Sequence, residues 1–465
     1  MTNIINPTID LFLYDLRNSL GDDQKDIEEK RQYFYQKFDE TVQEKLKRDG
    51  KDQNQKHNLE VEYIPLLESN YAPLEPDTPK ENGYYYPVRL GDSYGLLLEV
   101  AEFTASDEKK PEFFAELREK IQQKLGENTA TLGQTWMLST YLPNFSETTP
   151  EEIEKIAKEC YKAIFPNAEE TVELHNKGEF IGATIFESFD NSLKHKNVQR
   201  GDAKIITVFP TKHIIIAIYP DKATFDKLAD FYEHWMRLFY YHHKIIWAYN
   251  QSRILTKKIQ EIFSKIQTII EEKTTEEKRT VNEFEEISDV LSQCQLIMNQ
   301  YMRELSNLAL QKETIEINLD NYDKRLQSLQ KKAKKTTINK DKTAIAFLAA
   351  FSELVNEKYL LQITRDLKFL DQGLKFLENN ISVIRSKVEI EKAKGDNKFQ
   401  EIITVGGAGV AVVSLIGDDA AKECKSYPYL KNSPVCESTL IFKLIIFLTV
   451  SILVWFSRKY ILKLS

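Results

Sequence analysis

The sequence predicts an α+β N-terminal domain, a long antiparallel coiled-coil helical stalk and a C-terminal two-helix transmembrane hairpin. Three observations predict it. Aromatic and β-branched runs separated by turn residues lie between Tyr84 and Tyr219, heptad patterns fill a proline-free stretch from Pro220 to Pro428, and two apolar segments, Ile402 to Gly417 and Thr439 to Phe456, close the chain. The expected boundaries are residues 1–220 for the cytosolic α+β domain, 221–400 for the stalk, 401–457 for the hairpin with an outer loop at 418–438, and 458–465 for a basic tail.

At 465 residues, 42% hydrophobic and 29% charged, the chain has enough apolar content for two or three domains with real cores. Its net charge of -8 argues against a nucleic-acid partner, because phosphate binding depends on concentrated Lys and Arg. Asp10 and Asp15 stand where a signal peptide would need a basic start, which keeps the N-terminal part in the cytoplasm.

In chain order, Leu11 to Lys47 reads as helical, followed by a polar stretch at Asp49 to Asn58 and a Pro-rich loop from Tyr71 to Gly83. Tyr84 to Val88, Tyr94 to Val100 and Thr131 to Leu142 read as strands, with Pro87 favouring an edge position for the first. Thr149, Pro150 and Glu152 form a capping box with Pro at the first helical position and start a helix that runs to about Phe165. Phe180 to Phe189, Ile205 to Phe209 and His213 to Tyr219 read as further strands, the last two joined by a turn at Pro210 to Lys212.

Three heptad series follow. The first is Leu255, Ile259, Ile262, Ile266 and Ile269. The second runs from Ile287 through Leu291, Cys294, Met298, Tyr301, Leu305 and Leu308, skips Lys312, and resumes at Ile315, Leu319, Tyr322, Leu326 and Leu329. The third is the most regular, from Leu360 through Ile363, Leu367, Leu370, Leu374, Leu377, Ile381 and Ile384 to Val388. Polar breaks at Thr274 to Thr280 and Lys331 to Thr343 predict three helices folded back on one another. The basic turn Lys331, Lys332, Lys334 and Lys335 reads either as a solvated helix end or as a site for an anionic ligand.

The segment Thr439 to Phe456 is about 27 Å long as a helix, close to a hydrocarbon core of about 30 Å. Arg458, Lys459 and Lys463 follow it and Lys392, Lys394 and Lys398 precede the first segment, so the positive-inside rule puts both termini in the cytoplasm. The expected location is the inner (plasma) membrane, multi-pass. Cys424 and Cys436 then fall in an outer loop as a disulfide candidate, with two unpaired small residues as the alternative. Gly407 and Ala411 fit close helix packing in lipid or a pore lining, while Gly406 and Gly409 add flexibility.

Catalytic signatures are missing from the sequence: it holds no Walker loop, no G-x-S-x-G, no zinc-spaced Cys and His set and no H-E-x-x-H, and no enzyme is expected. His242 and His243 point about 100° apart on a helix and cannot chelate one metal from one face, so their aromatic neighbours mark them as packing residues. Asp190, Asp202 and Asp221 read as ordinary turn residues.

A cytosolic α+β domain, a long helix entering the first apolar segment, an acidic loop and a second segment resemble the CorA-type magnesium channels in layout. That resemblance implies a homo-oligomer whose first segment lines a pore. Their Gly-Met-Asn signature is absent, since Gly417, Asp418 and Asp419 stand in its place, which puts magnesium selectivity in doubt. Tyr86 to Asp92, Thr131 to Trp136 and Lys244 to Arg253 are similar to uncharacterised bacterial membrane proteins associated with caspase-like proteases in conflict systems, implying a defence sensor or effector.

The expected function is therefore an oligomeric channel or membrane-permeabilising effector gated by its cytosolic domain. Thr404, Ser414, Asp418 and Asp419 would line or guard the path of a divalent or monovalent cation, and no cofactor is implied. The alternative is a membrane-tethered coiled-coil scaffold or sensor without pore activity. Expected partners are the membrane, further copies of the chain, and a cytosolic protein or small anionic trigger.

Overall fold

The computed structural model describes residues 3–19, 21–47, 63–75, 82–102, 108–166, 174–190, 195–200, 203–208, 212–274, 283–336 and 344–392. They belong to two compact units, Met1–Asn250 with Thr314–Leu360, and Gln251–Glu313 with the chain from Leu361 on.

The first unit is built on strand β1 (Ile5–Leu16), where a helix was expected to begin. Both faces of β1 are covered along nearly its whole length, so Leu11, Phe12, Leu13 and Tyr14 are all buried and the alternation that identifies a strand is lost. The helix α1 (Gln24–Tyr35) begins only after Asp23, whose side chain caps it reciprocally with Asp26.

Strands β2 (Tyr63–Pro65), β3 (Ala72–Pro73), β4 (Gly83–Leu90), β5 (Ser93–Ala101), β6 (Gly133–Tyr141), β7 (Asn176–Phe180), β8 (Ala183–Asp190) and β11 (Lys212–Tyr219) join β1 in one sheet. Its order is β2-β4-β5-β1-β6-β11-β8-β7, with β3 also on β4, while β9 (His195–Arg200) and β10 (Ala203–Val208) form a separate hairpin. The pair β6 and β11 is parallel and the others are antiparallel, so the domain is α/β with a mixed sheet rather than the expected α+β arrangement.

Pro87 does not make β4 an edge strand. Val88 to Leu90 pair with β2 and Tyr84 to Tyr85 with β3, so Pro87 occupies the gap between two short partners, where no ladder needs its missing N–H.

One sheet face packs on α1, α2 (Phe114–Leu125) and α3 (Pro150–Ile164), where Phe34, Leu117, Ile121, Ile156 and Cys160 meet Leu11, Leu13, Leu98, Leu138 and Ile216. The expected capping box of α3 is present: Glu152 N donates to Thr149 Oγ1 at 3.3 Å and Thr149 N to Glu152 Oε2 at 2.8 Å. The opposite face carries Asp10, Phe12, Tyr14, Thr135 and His213, and is covered by the start of α4 (Tyr232–Thr274). Part of α5 (Glu283–Thr336) and α6 (Phe347–Leu354) also belong to this unit, where Tyr322 Oη donates to Leu348 O at 2.9 Å.

In the second unit, Gln251–Thr274 of α4, residues 283–313 of α5 and α7 (Leu361–Lys392) lie side by side. Arg253 is paired with Asp366, Lys258 with Glu304 at 2.8 Å, and Tyr301 Oη donates to Leu370 O at 2.7 Å. Phe263 faces Phe376, with ring centroids 6.2 Å apart. The pairs Arg253–Asp366 and Phe263–Phe376 run α4 and α7 in the same direction.

The expected single stalk over 221–400 is corrected in one respect. Ile315, Leu319, Tyr322, Leu326 and Leu329 are buried in the first unit, and the unit boundary at Glu313 and Thr314 adjoins the heptad skip at Lys312. A seven-residue apolar repeat specifies a buried helix face but not which surface buries it.

The expected transmembrane hairpin, and with it the multi-pass inner-membrane location and the channel, are also corrected. Among the described residues no helix is long and apolar enough to cross a membrane. The long helices that are described are amphipathic: α7 buries Ile363, Leu370 and Leu377 but carries Lys368, Asp371 and Lys375 on its other sides. The segments 402–417 and 439–456 lie outside the described residues.

Candidate functional site

Where α4 crosses the sheet, three neighbouring strands each place one polar side chain beneath it. Thr135 on β6 and His213 on β11 are direct register partners, and Glu187 on β8 is diagonal to His213 on the same face. Glu187 Oε1 lies 3.0 Å from His213 Nε2, His213 Nδ1 lies 2.9 Å from Thr135 Oγ1, and Thr135 Oγ1 lies 2.8 Å from His243 Nε2 of α4. Asn176 Nδ2 donates to Glu187 Oε2 at 2.7 Å from β7, closing the outer end of the chain.

Rings pack around this line. His242 stacks on His213 with centroids 4.5 Å apart and lies 4.1 Å from Phe351 of α6, while Phe239 stands edge-on to His213 at 5.3 Å. Burial and the neighbouring His213 ring hold His242 and His243 well below the ordinary imidazole range, so both are neutral near pH 7. Their adjacency in the sequence predicts packing, and packing is found, but joined to a polar chain that the sequence pattern does not reveal.

A hydroxyl bonded to an imidazole that is bonded to a carboxylate has the connectivity of a nucleophile, base and orienter. Burial decides against that use. Thr135 is 0% exposed, His213 1% and Glu187 5%, whereas a reacting atom must come within about 3 Å of the hydroxyl. The network instead joins a sheet to a helix.

A second polar group lies on the same face. Asp10 of β1 and Glu99 of β5 are register partners, and Tyr232 at the start of α4 directs its hydroxyl to both, 2.9 Å from Glu99 Oε2 and 3.2 Å from Asp10 Oδ2. Burial, then the Glu99 charge, pushes the Asp10 carboxyl well above its usual range. Two carboxyls paired across neighbouring strands on one buried face disfavour double ionisation, so Asp10 tends to hold a proton.

A third lies on the opposite face, where Lys37 Nζ is 3.1 Å from Asp15 Oδ2 with both side chains buried. Lys37 also sits 3.9 Å over the Tyr33 ring, and Asp15 Oδ1 accepts from Thr131 N at 2.9 Å. Among the described residues no cluster of His, Cys, Asp and Glu could hold a metal ion.

The anionic-ligand candidates do not converge. Lys331, Lys334 and Lys335 are exposed, the latter two in the last turn of α5, where they complement the helix dipole, while Lys332 donates to the Asp230 carbonyl and covers the Phe231 ring. Thr404, Gly406, Gly407, Gly409, Ser414, Asp418, Asp419, Cys424 and Cys436 lie outside the described residues, as does Asp202. Cys160 and Cys294 are free and buried. Asp221 accepts from Thr224 N at 2.7 Å as a helix cap, but Asp190 belongs to β8 rather than to a turn.

No protein-family model, curated protein or solved structure matches this chain. The polar groups could have been suspected from one signal: Asp10, Glu187 and His213 each interrupt or adjoin an apolar run inside a strand, where a charged or polar residue must find a buried partner.

Proposed function

We propose that the protein is a homo-oligomeric assembly scaffold, in which the helical unit joins copies of the chain and the α/β unit is what is brought together. The observation that carries this is a strip on α7. Phe369, Phe376 and Val383 recur at seven-residue spacing and are 66%, 50% and 56% exposed. The strip runs about 21 Å along the helix at 1.5 Å per residue.

Large apolar side chains at that exposure and spacing form a seam suited to a second helix. Gln372, Asn379 and Asn380 flank it, whereas Lys368, Asp371, Lys375 and Glu378 fall about 80° or more round the helix, and Arg365 closes the same face one turn before Phe369. The occupant that fits this pattern is a second copy of α7. Side-by-side self-pairing sets each residue against its own counterpart, which an uncharged face tolerates and a charged one does not.

Sedimentation equilibrium of the full chain, compared with Phe369→Ser plus Val383→Ser, tests the reading. The native chain should form a defined oligomer and the variant should dissociate while keeping its helical circular dichroism. A native chain that is monomeric at every concentration, or a variant that assembles equally well, overturns it.

A further inference from the structure

We infer that the Thr135 hydroxyl couples the tautomer of His243 to the charge on His213, so that α4 stays on the sheet in only one arrangement of protons. Donors and acceptors along the chain must balance. Glu187 as a carboxylate accepts from His213 Nε2, so in the neutral ring Nδ1 is bare and accepts from the Thr135 hydroxyl. With its hydrogen committed there, Thr135 accepts from His243, which places the His243 proton on Nε2 and leaves Nδ1 bare.

A bare Nδ1 is what the surroundings accommodate. This atom has no hydrogen-bond partner among the described residues and lies against Gly133. A proton there would be a buried donor without an acceptor.

Adding a proton to His213 breaks the arrangement. Its Nδ1 then donates to Thr135, whose hydrogen must turn towards His243 Nε2. If His243 accepts, its own proton moves to the partnerless Nδ1. If it keeps its proton on Nε2, the Thr135 hydrogen has no acceptor. Either way one buried donor is orphaned while α4 remains seated.

The other titratable groups facing the cluster do not relieve this. Glu187 already accepts from His213 and Asn176. Tyr14, from β1, directs its hydroxyl to Met236 O, and Tyr322, from α5, directs its hydroxyl to Leu348 O. His242 offers a stacked ring. Phe239 and Phe351 are uncharged. A proton added to this line therefore finds all its partners only once α4 has left the sheet.

Histidine 15N shifts of the labelled full chain, followed from pH 8 downwards beside the near-ultraviolet signal of Trp235, test the inference. His243 should be the Nε2–H tautomer at pH 8 and should keep it until the tertiary signal is lost. Thr135→Ser should keep the single tautomer and Thr135→Val should give a mixture. An Nδ1–H tautomer for His243 at pH 8, or a change in its tautomer while the tertiary signal is intact, overturns it. The native chain supplies both of those outcomes even if the valine variant does not fold.

Discussion

Gly133 lies flat against the ring of His243 where β6 meets α4: a Cβ built on the glycine would sit 2.6 Å from His243 Cγ and closer still to Nδ1. Gly133 is paired with Tyr14 in the sheet, and the absence of a side chain is what lets the ring approach. Gly133→Ala should therefore destabilise the first unit by about 1–3 kcal/mol through overpacking. Urea unfolding measures this, and a His243→Ala background should remove most of the difference, because the clash has one partner. An equal loss in both backgrounds would place the cause elsewhere.

Stability should fall on the acid side. His242 and His243 are held well below their ordinary value of 6.5, so below that pH the unfolded chain binds protons that the folded chain refuses. Their contribution is complete above 6.5 and is lost as pH falls below it, at up to about 1.4 kcal/mol per pH unit for each ring. Urea midpoints at pH 5, 6, 7 and 8 should show this slope, and His242→Asn should reduce it. A flat profile between 5 and 7 would contradict the neutral state.

Asp10 acts with the opposite sign. Its folded carboxyl is raised well above 3.8, so the folded state holds a proton that the unfolded chain releases, and the contribution present below 3.8 is lost as pH rises towards the folded value. Asp10→Asn supplies a permanent donor to Glu99. The variant should gain on the native chain at pH 8 relative to pH 4, as read from thermal midpoints. The same difference at both pH values would rule out proton sharing.

Lys37 and Asp15 are each other's compensation on the opposite face. Lys37→Met should cost about 3–5 kcal/mol because it strands a buried carboxylate. Lys37→Met with Asp15→Asn should recover most of that, because the amide oxygen of the new side chain can still accept from Thr131 N. Chemical denaturation of the two single variants and the double variant gives the coupling directly, and strict additivity would count against a desolvated pair.

Some of this was legible in the chain. The box at Thr149 and Glu152 and the apolar positions from Cys294 to Leu308 are local or strictly periodic, and such signals survive into any fold that buries that face. The polar chain was not legible, because Glu187, His213, Thr135 and His243 come from four separate elements and converge only through sheet order.

Capping and side-chain period act within a few residues, so the long helices, the α3 start and the strands β4, β5 and β6 are written into the chain itself, whereas the strand expected over 180–189 is split into β7 and β8, and β10 pairs with β9 rather than with β11. Three features are settled only by folding: that Ile5–Leu16 is a strand, that α5 is shared between two units, and that two histidines meet a threonine and a glutamate. Burial on both faces erases the period that marks a strand, and hydrogen-bond partners distant in sequence are chosen only when the sheet sets their register.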